Sequence, residues 1–475
     1  MKKRKLKKYV LFNTINTIII LFFAFFYGYR LVYYYLEEHG KKDTEDVLLV
    51  DELLKHVSMI DKSNGLIEEE NGTYIYKGNA KNNYVKYSGR IYRIIGIDEN
   101  KNMILVSDNS ETIFMPSAIE YKDSYFKEWL NPIEDKKYTG IYLNTLNKPY
   151  EHLEKVTSCS DKIKDLESIT CNEKDDTLYV SLLSLNDYKL IGGANSYLNN
   201  KEDYFLISQN DSNYYWYVAS DGGINVSTKV NEEHGVRPVI TLRNSVLVYG
   251  GKGRKTDPYL IEKEDIKNLV SANVSEYVSY SDYKWRIIDK DEEKVKVILD
   301  GYIKTGEDDI LKKYGSSNVY SLTKNTIGYY LNNDFYKNLK DNSLIVKSPF
   351  YNGAFSDYTK FNYQNIYNSN INCFVGLPNY GELYVNEYEN VFLNTRPYGI
   401  DTKITYTINE NKLLYTNYVS KELKIRPVIY LKNTNILSGN GSSESPYVLE
   451  VLKNEWWYWN TWWWSGNSNW KKEKK

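Results

Sequence analysis

The sequence predicts an α+β protein, with two tandem homologous domains following an N-terminal transmembrane helix. Three observations carry this expectation. A charge-free run of 21 residues, Tyr9 to Tyr29, follows a strongly basic start. Five short blocks recur in the same order at offsets of 188 to 193 residues. Within each recurrence, strand-like and helix-like stretches are segregated rather than alternating, which argues for α+β over a parallel α/β sheet.

The basic start comprises Lys2, Lys3, Arg4, Lys5, Lys7 and Lys8. As a helix, Tyr9 to Tyr29 spans about 31 Å, the thickness of a bilayer's hydrocarbon core. Asn13 and Asn16 dilute it near the basic end. Cations before the span and an acidic bulk after it predict a cytoplasmic tail over 1–8 and a signal-anchor helix over 9–36. The bulk would then be extracellular and the protein located at the cell membrane. A cleavable signal peptide is the alternative, but Phe26-Tyr-Gly-Tyr-Arg30 offers no small-x-small site. Residues 37–71, with Leu53, Leu54, Val57 and Ile60 at helical spacing, read as a juxtamembrane stalk.

Composition narrows the function classes. The 475 residues carry 61 Lys+Arg against 62 Asp+Glu. Seven cations and no acid fall in the first thirty residues, leaving 54 cations against 62 acids elsewhere. That balance argues against a nucleic-acid binder, which needs a concentrated basic face. Four histidines and three cysteines argue against a zinc site, and no metal or cofactor is expected. Tyrosine is abundant at 48 residues, beside much Asn, Lys and Ile, as A/T-rich codons alone would produce. Cys159 and Cys171, twelve apart around a polar segment, either close a small disulfide or stay free. Cys373, near Ile371 and Phe374, reads as a buried thiol.

The repeats are expected over 72–263 and 272–452. Tyr84-Val-Lys-Tyr-Ser-Gly-Arg-Ile-Tyr-Arg-Ile-Ile95 returns as Tyr277-Val-Ser-Tyr-Ser-Asp-Tyr-Lys-Trp-Arg-Ile-Ile288. Tyr142-Leu-Asn144 returns as Tyr330-Leu-Asn332, and Leu185-Asn-Asp-Tyr188 as Leu377-Pro-Asn-Tyr380. Gly235-Val-Arg-Pro-Val-Ile-Thr-Leu242 returns as Lys424-Ile-Arg-Pro-Val-Ile-Tyr-Leu431. Gly253 with Asp257-Pro-Tyr259 returns as Gly441 with Ser445-Pro-Tyr447. Each copy opens on a strand pair, 90–97 with 103–106 and 285–288 with 295–299. A helix follows, over 143–156 or 327–339, then a shorter one from Asn186 or Asn379. Strands over 204–208, 214–219, 223–230 and 236–242 complete copy one, with Asp221-Gly-Gly223 as a hairpin turn. No G-x-G-x-x-G or P-loop is present.

The Tyr/Trp-Arg-Ile-Ile opening, the Tyr-Leu-Asn helix, the Leu-x-x-Tyr element and the closing Val/Ile-Arg-Pro-Val-Ile strand together resemble an uncharacterised bacterial surface domain of low-G+C Gram-positive bacteria. The resemblance spans both copies and is fainter to C-type-lectin-like and formylglycine-generating-enzyme folds. It implies an extracytoplasmic setting but supplies no activity. A formylglycine-generating oxidase would need reactive cysteines in its final strands, and neither copy has them. No flanking pattern supports a Cys, His and Arg site from Cys373, His152 or His234 and Arg426, so no catalytic residue is assigned.

Three candidate features remain. Arg93, Arg237, Arg286 and Arg426 recur within apolar strands and are expected to be structural, each buried against a carboxylate; anion recognition is the sharper alternative. The stretch Asn210 to Asn225 groups Tyr215, Trp216 and Tyr217 with Asp221 and Asn225, a set able to stack and hydrogen-bond a sugar, although Trp216 also fits a core strand. In the tail 453–475, Trp456, Trp457, Trp459, Trp462, Trp463, Trp464 and Trp470 precede a run of lysines. That pairing suits a membrane interface, stacking on wall glycans, or docking back on the domains. The expected role is a membrane-anchored, lectin-like or adhesin-like binding protein for a cell-wall or host glycan. A cell-envelope component contacting another surface protein is the alternative, and an ectoenzyme the third.

Overall fold

The computed structural model describes residues 46–451, apart from 115–119, 134–138, 160–161, 165, 167–173, 212–213, 228–233, 264–265, 356–368, 380–381, 383–389, 398–400 and 409–413. From Leu48 onward the architecture is mostly β, with 38% strand and 14% helix in several sheets, which corrects the expected α+β class. The loss falls on the first long helix. Pro149 divides the expected 143–156 segment into two single turns, Ile141–Asn144 and Pro149–His152, and Val156 already begins the strand Val156–Cys159. In the second copy helix does run from Ile327 to Asn338, with a π-helical middle over Tyr330–Phe335.

The expected single-pass anchor is also corrected. Among the described residues no helix is long and apolar enough to cross a membrane. Helices here fall well short of the ~20 residues a span requires. The basic tail 1–8, the segment 9–36 and the tryptophan-rich tail 453–475 lie outside the described residues. The signal anchor and the cell-membrane location inferred from it therefore have no support. Nor is the rest of the expected stalk free-standing. Leu49, Val50 and Leu53 on the helix Leu49–Leu54 are buried, and the strand Gly65–Glu68 pairs with Tyr74–Lys77.

Each half holds a larger and a smaller sheet. In the first half the larger sheet runs in the order Gly65–Glu68, Tyr74–Lys77, Arg90–Ile97, Met103–Ser107, Pro238–Leu242, Val180–Leu182. Tyr84–Tyr87 also pairs with Arg90–Ile97, and Tyr259–Leu260 joins it in parallel. In the second half the order is Val375–Gly376, Val428–Lys432, Lys294–Leu299, Tyr283–Lys290, Tyr277–Tyr280, Tyr447–Leu449, Ile436–Ser438. From Val180–Leu182 through Tyr259–Leu260 the first sheet thus has the same succession as Val375–Gly376 through Tyr447–Leu449. The smaller sheets correspond too. Ile224–Val226, Tyr215–Val218, Tyr204–Gln209, His234–Val236 and Thr112–Phe114 match Leu414–Tyr418, Ile404–Ile408, Val391–Phe392, Glu422–Lys424 and Leu311–Lys313.

The correspondence extends to irregularities. The long strand slips register between Ile94 and Gly96, and again between Ile287 and Asp289, so a bulge sits at the same place in both halves. Gly253 and Gly441 both have positive φ, and a Cβ on either would lie 2.4 or 2.6 Å from the ring of Tyr259 or Tyr447. Their carbonyls accept from the backbone N–H of Tyr84 and Tyr277, each at 2.8 Å. Only glycine fits a site with both constraints. One apolar cluster extends from Leu49 to Leu449 and includes Trp129 and Trp285.

Candidate functional site

The aromatic hairpin is not a site by itself. Tyr215 and Trp216 lie on the strand Tyr215–Val218 and are buried, Trp216 with 6% of its surface exposed. The indole N–H of Trp216 donates to the carbonyl of Ile163 at 2.9 Å. Tyr217 stacks on His234 with centroids 3.9 Å apart. Asp221 and Asn225 are exposed, and Asp221 Oδ1 accepts from the Gly223 N–H, closing the turn. Two of the five residues are therefore core and a third is covered by an imidazole.

The recurring arginines are placed by backbone carbonyls as much as by carboxylates. Arg237 and Arg426 are buried, and their Nε–H groups donate to Ser107 and Leu299 at 2.9 and 2.7 Å. Those two acceptors hold the same register position, opposite Tyr92 and Trp285. Arg237 also donates to the Leu198 carbonyl at 2.8 Å and faces the ring of Tyr204 at 4.5 Å. Arg93 lies 3.7 Å from Asp108. Arg286 is half-buried, 5.4 Å from the centroid of Tyr277.

Arg93 forms the floor of an open polar cleft of about 1030 Å³. Its guanidinium lies between the rings of Tyr84 and Tyr197, at 3.8 and 4.4 Å. It donates to Asn83 Oδ1, the Tyr84 hydroxyl and the Ala80 carbonyl at 2.7 to 2.8 Å. Desolvation pulls it below the ordinary guanidinium value, offset by the neighbouring tyrosines and Asp108. Such a cation is fixed rather than searching for a partner.

The rim of the cleft differs in character. Asn79, Asn82, Asn109 and Asn195 line it, and among the described residues their side-chain amides make no hydrogen bond. Each amide offers two donors and one acceptor oxygen. Asn199 and Asn200 also line it but are committed, Asn199 to the carbonyls of Ala194 and Asp221 and Asn200 to that of Asp108. Lys81, Arg254 and Lys255 are exposed around the opening, and Lys255 reaches Asp108 at 3.6 Å. Four loops supply this rim, at 79–82, 108–109, 194–200 and 254–256. None was marked out in the sequence, because asparagine is plentiful throughout the chain. The signal lay in the clusters Asn79-Ala-Lys-Asn-Asn83 and Asn199-Asn200.

The remaining sequence candidates divide between described and undescribed residues. Cys373 is buried and free, and burial pushes its thiol up to about 12. Cys171 and the side chain of Cys159 lie outside the described residues, as do the seven tail tryptophans. Among the described residues no cluster of three or more His, Cys, Asp or Glu is placed to hold a metal ion. No protein-family model, curated protein or solved structure matches the chain.

Proposed function

We propose that this chain is a binding protein whose first repeat holds an acid-bearing saccharide in the asparagine-rimmed cleft. One observation carries the reading: four unengaged amides and three exposed cations converge on a single polar opening. Polyhydroxylated ligands are matched by side chains that both donate and accept, and amides do this without charge. The rim cations add attraction for carboxylate or sulfate groups, screened progressively by salt. The fixed Arg93 platform between two tyrosines keeps the floor rigid, limiting the ordering cost of binding.

Calorimetric titration of the chain with acidic and neutral oligosaccharides tests this. Acidic oligosaccharides should bind more tightly, and Asn109→Ala with Asn195→Ala should weaken binding by about tenfold, the worth of one or two lost hydrogen bonds. Arg254→Ala with Lys255→Ala should remove most of the salt dependence. Absence of binding to every oligosaccharide would overturn the reading. Contact with another protein is the second reading, favoured by the edge strand Leu414–Tyr418, where Tyr415 and Tyr418 are 56% and 66% exposed.

A further inference from the structure

The two repeats carry a concavity at the same place on the larger sheet, and among the described residues only the second fills it with a cation. The register fixes the equivalence. In the first repeat, Gly96, Ile104 and Thr241 lie side by side across three strands. In the second, Asp289, Lys296 and Tyr430 occupy that row. Beside each row a chain segment leaves the sheet edge. Val180 pairs with Ile240 as Val375 pairs with Ile429. Counting on from there sets Ser184 against Asn379 and Asp187 against Glu382. Each pair is tied locally, but in opposite directions: Ser184 Oγ accepts from the Asp187 N–H, whereas Glu382 Oε2 accepts from the Asn379 N–H.

In the second repeat a cavity of about 350 Å³ is lined by Asp289, Lys296, Tyr430, Asn379 and Glu382. The buried Lys296 ammonium is ion-paired with Glu382 and lies 5.5 Å from the Tyr430 ring centroid. Burial opposes its charge, but Glu382 prevails and holds the lysine above its ordinary value. In the first repeat the cavity is about 400 Å³ and aliphatic, with Ile75, Ile95, Ile207 and Val239 among its walls. Among the described residues its lining includes no lysine, arginine or histidine. Two groups there have no counterpart to the lysine. The Asp187 carboxylate takes a hydrogen bond from Ser184 Oγ at 2.6 Å, and among the described residues the fully buried Thr241 hydroxyl has no hydrogen-bond partner. Desolvation raises the Asp187 pKa, opposed by its hydrogen bonds with Ser184.

We propose that the first repeat's cavity binds a ligand bearing an alkylammonium group, such as a lysyl side chain or an aliphatic amine. Its ammonium pairs with Asp187, and its methylenes pack where Lys296 runs in the second repeat. The site is separate from the asparagine-rimmed cleft. The Lys296–Glu382 pair serves as the chain's own example of the complex.

Titration of the full chain with hexylammonium and with 1-hexanol is the test. Hexylammonium should bind saturably and 1-hexanol should bind about tenfold or more weakly, the worth of a charge-assisted hydrogen bond. Asp187→Asn should remove that preference. Ile104→Lys, which places a lysine in the same row as Lys296, should abolish hexylammonium binding. In the converse arm, Lys296→Ala should lower the melting temperature, and propylammonium should restore it in that variant more than in wild type. Equal binding of amine and alcohol, or undiminished binding in the Ile104→Lys variant, would overturn the proposal. So would failure of propylammonium to restore Lys296→Ala, which reads the geometry even where Asp187→Asn does not fold.

Discussion

Trp216 is held from two sides, its ring inside the core and its N–H on the carbonyl of Ile163. Truncation removes apolar contact and leaves that carbonyl without its donor. Trp216→Ala is therefore expected to cost about 3–5 kcal/mol of stability, read as a shift in denaturant midpoint. Saccharide affinity of the folded fraction should not change. A loss of affinity at unchanged stability would return the ligand to the hairpin. Period-two spacing already allowed a core position for this tryptophan, whereas the acceptor for its N–H is 53 residues away in sequence and was not legible. The same holds for Arg237 and Arg426. Their recurrence marked them as structural, but the sequence pointed to carboxylates, and the observed Nε acceptors are carbonyls on strands 130 and 127 residues distant.

At the scale of elements, alternation and turn chemistry were informative and helix spacing was not. The strands around Arg90–Ile97 and Met103–Ser107 and the Asp221-Gly-Gly223 turn follow from local sequence. The helix expected over 143–156 ignored Pro149, which cannot continue the preceding turn. Block matching misled at the helix following Val180–Leu182. Leu185 matches Leu377 by letter, but strand pairing equates Val180 with Val375 and shifts the alignment by three residues. Only the shifted alignment brings Asp187 and Glu382 to one position, so the paired cavities were hidden. Asp187 also carries a pH signature. Its folded pKa lies above the unfolded value, so the native state holds the proton more firmly. The resulting stabilisation is complete below the unfolded pKa and is lost as pH rises through the folded one. Between acid and neutral pH, denaturant midpoints of wild type should fall relative to those of Asp187→Asn.

At the scale of the molecule, the junction between repeats is built from polar contacts over the shared core. Asn147 donates through Nδ2 to Glu262 and to Asn273, at 2.9 and 2.6 Å, one on each side of the connecting segment. Glu262 in turn accepts from the Ser88 N–H, and Asn273 donates to Glu276, which accepts from the Tyr447 hydroxyl. This chain of contacts links the two larger sheets. Calorimetry should therefore show a single unfolding transition for the wild type. Asn147→Ala should broaden or split it, and two transitions already in the wild type would show that the junction does not couple the halves. The asparagine-rimmed cleft was the least legible feature at this scale, because its four loops converge only after the larger sheet has formed.

The parallel pairing of each repeat's last-in-sequence strand in its larger sheet has a consequence for how such a chain can grow. Tyr259–Leu260 lies beside Tyr84–Tyr87, and Tyr447–Leu449 beside Tyr277–Tyr280. The chain thus departs from each sheet next to one of its own early strands, as an insertable cassette does. A further copy spliced into the connector near residues 264–268 would bring its own closing strand and leave the neighbouring ladders intact. Copy number can change by duplication or deletion at that seam.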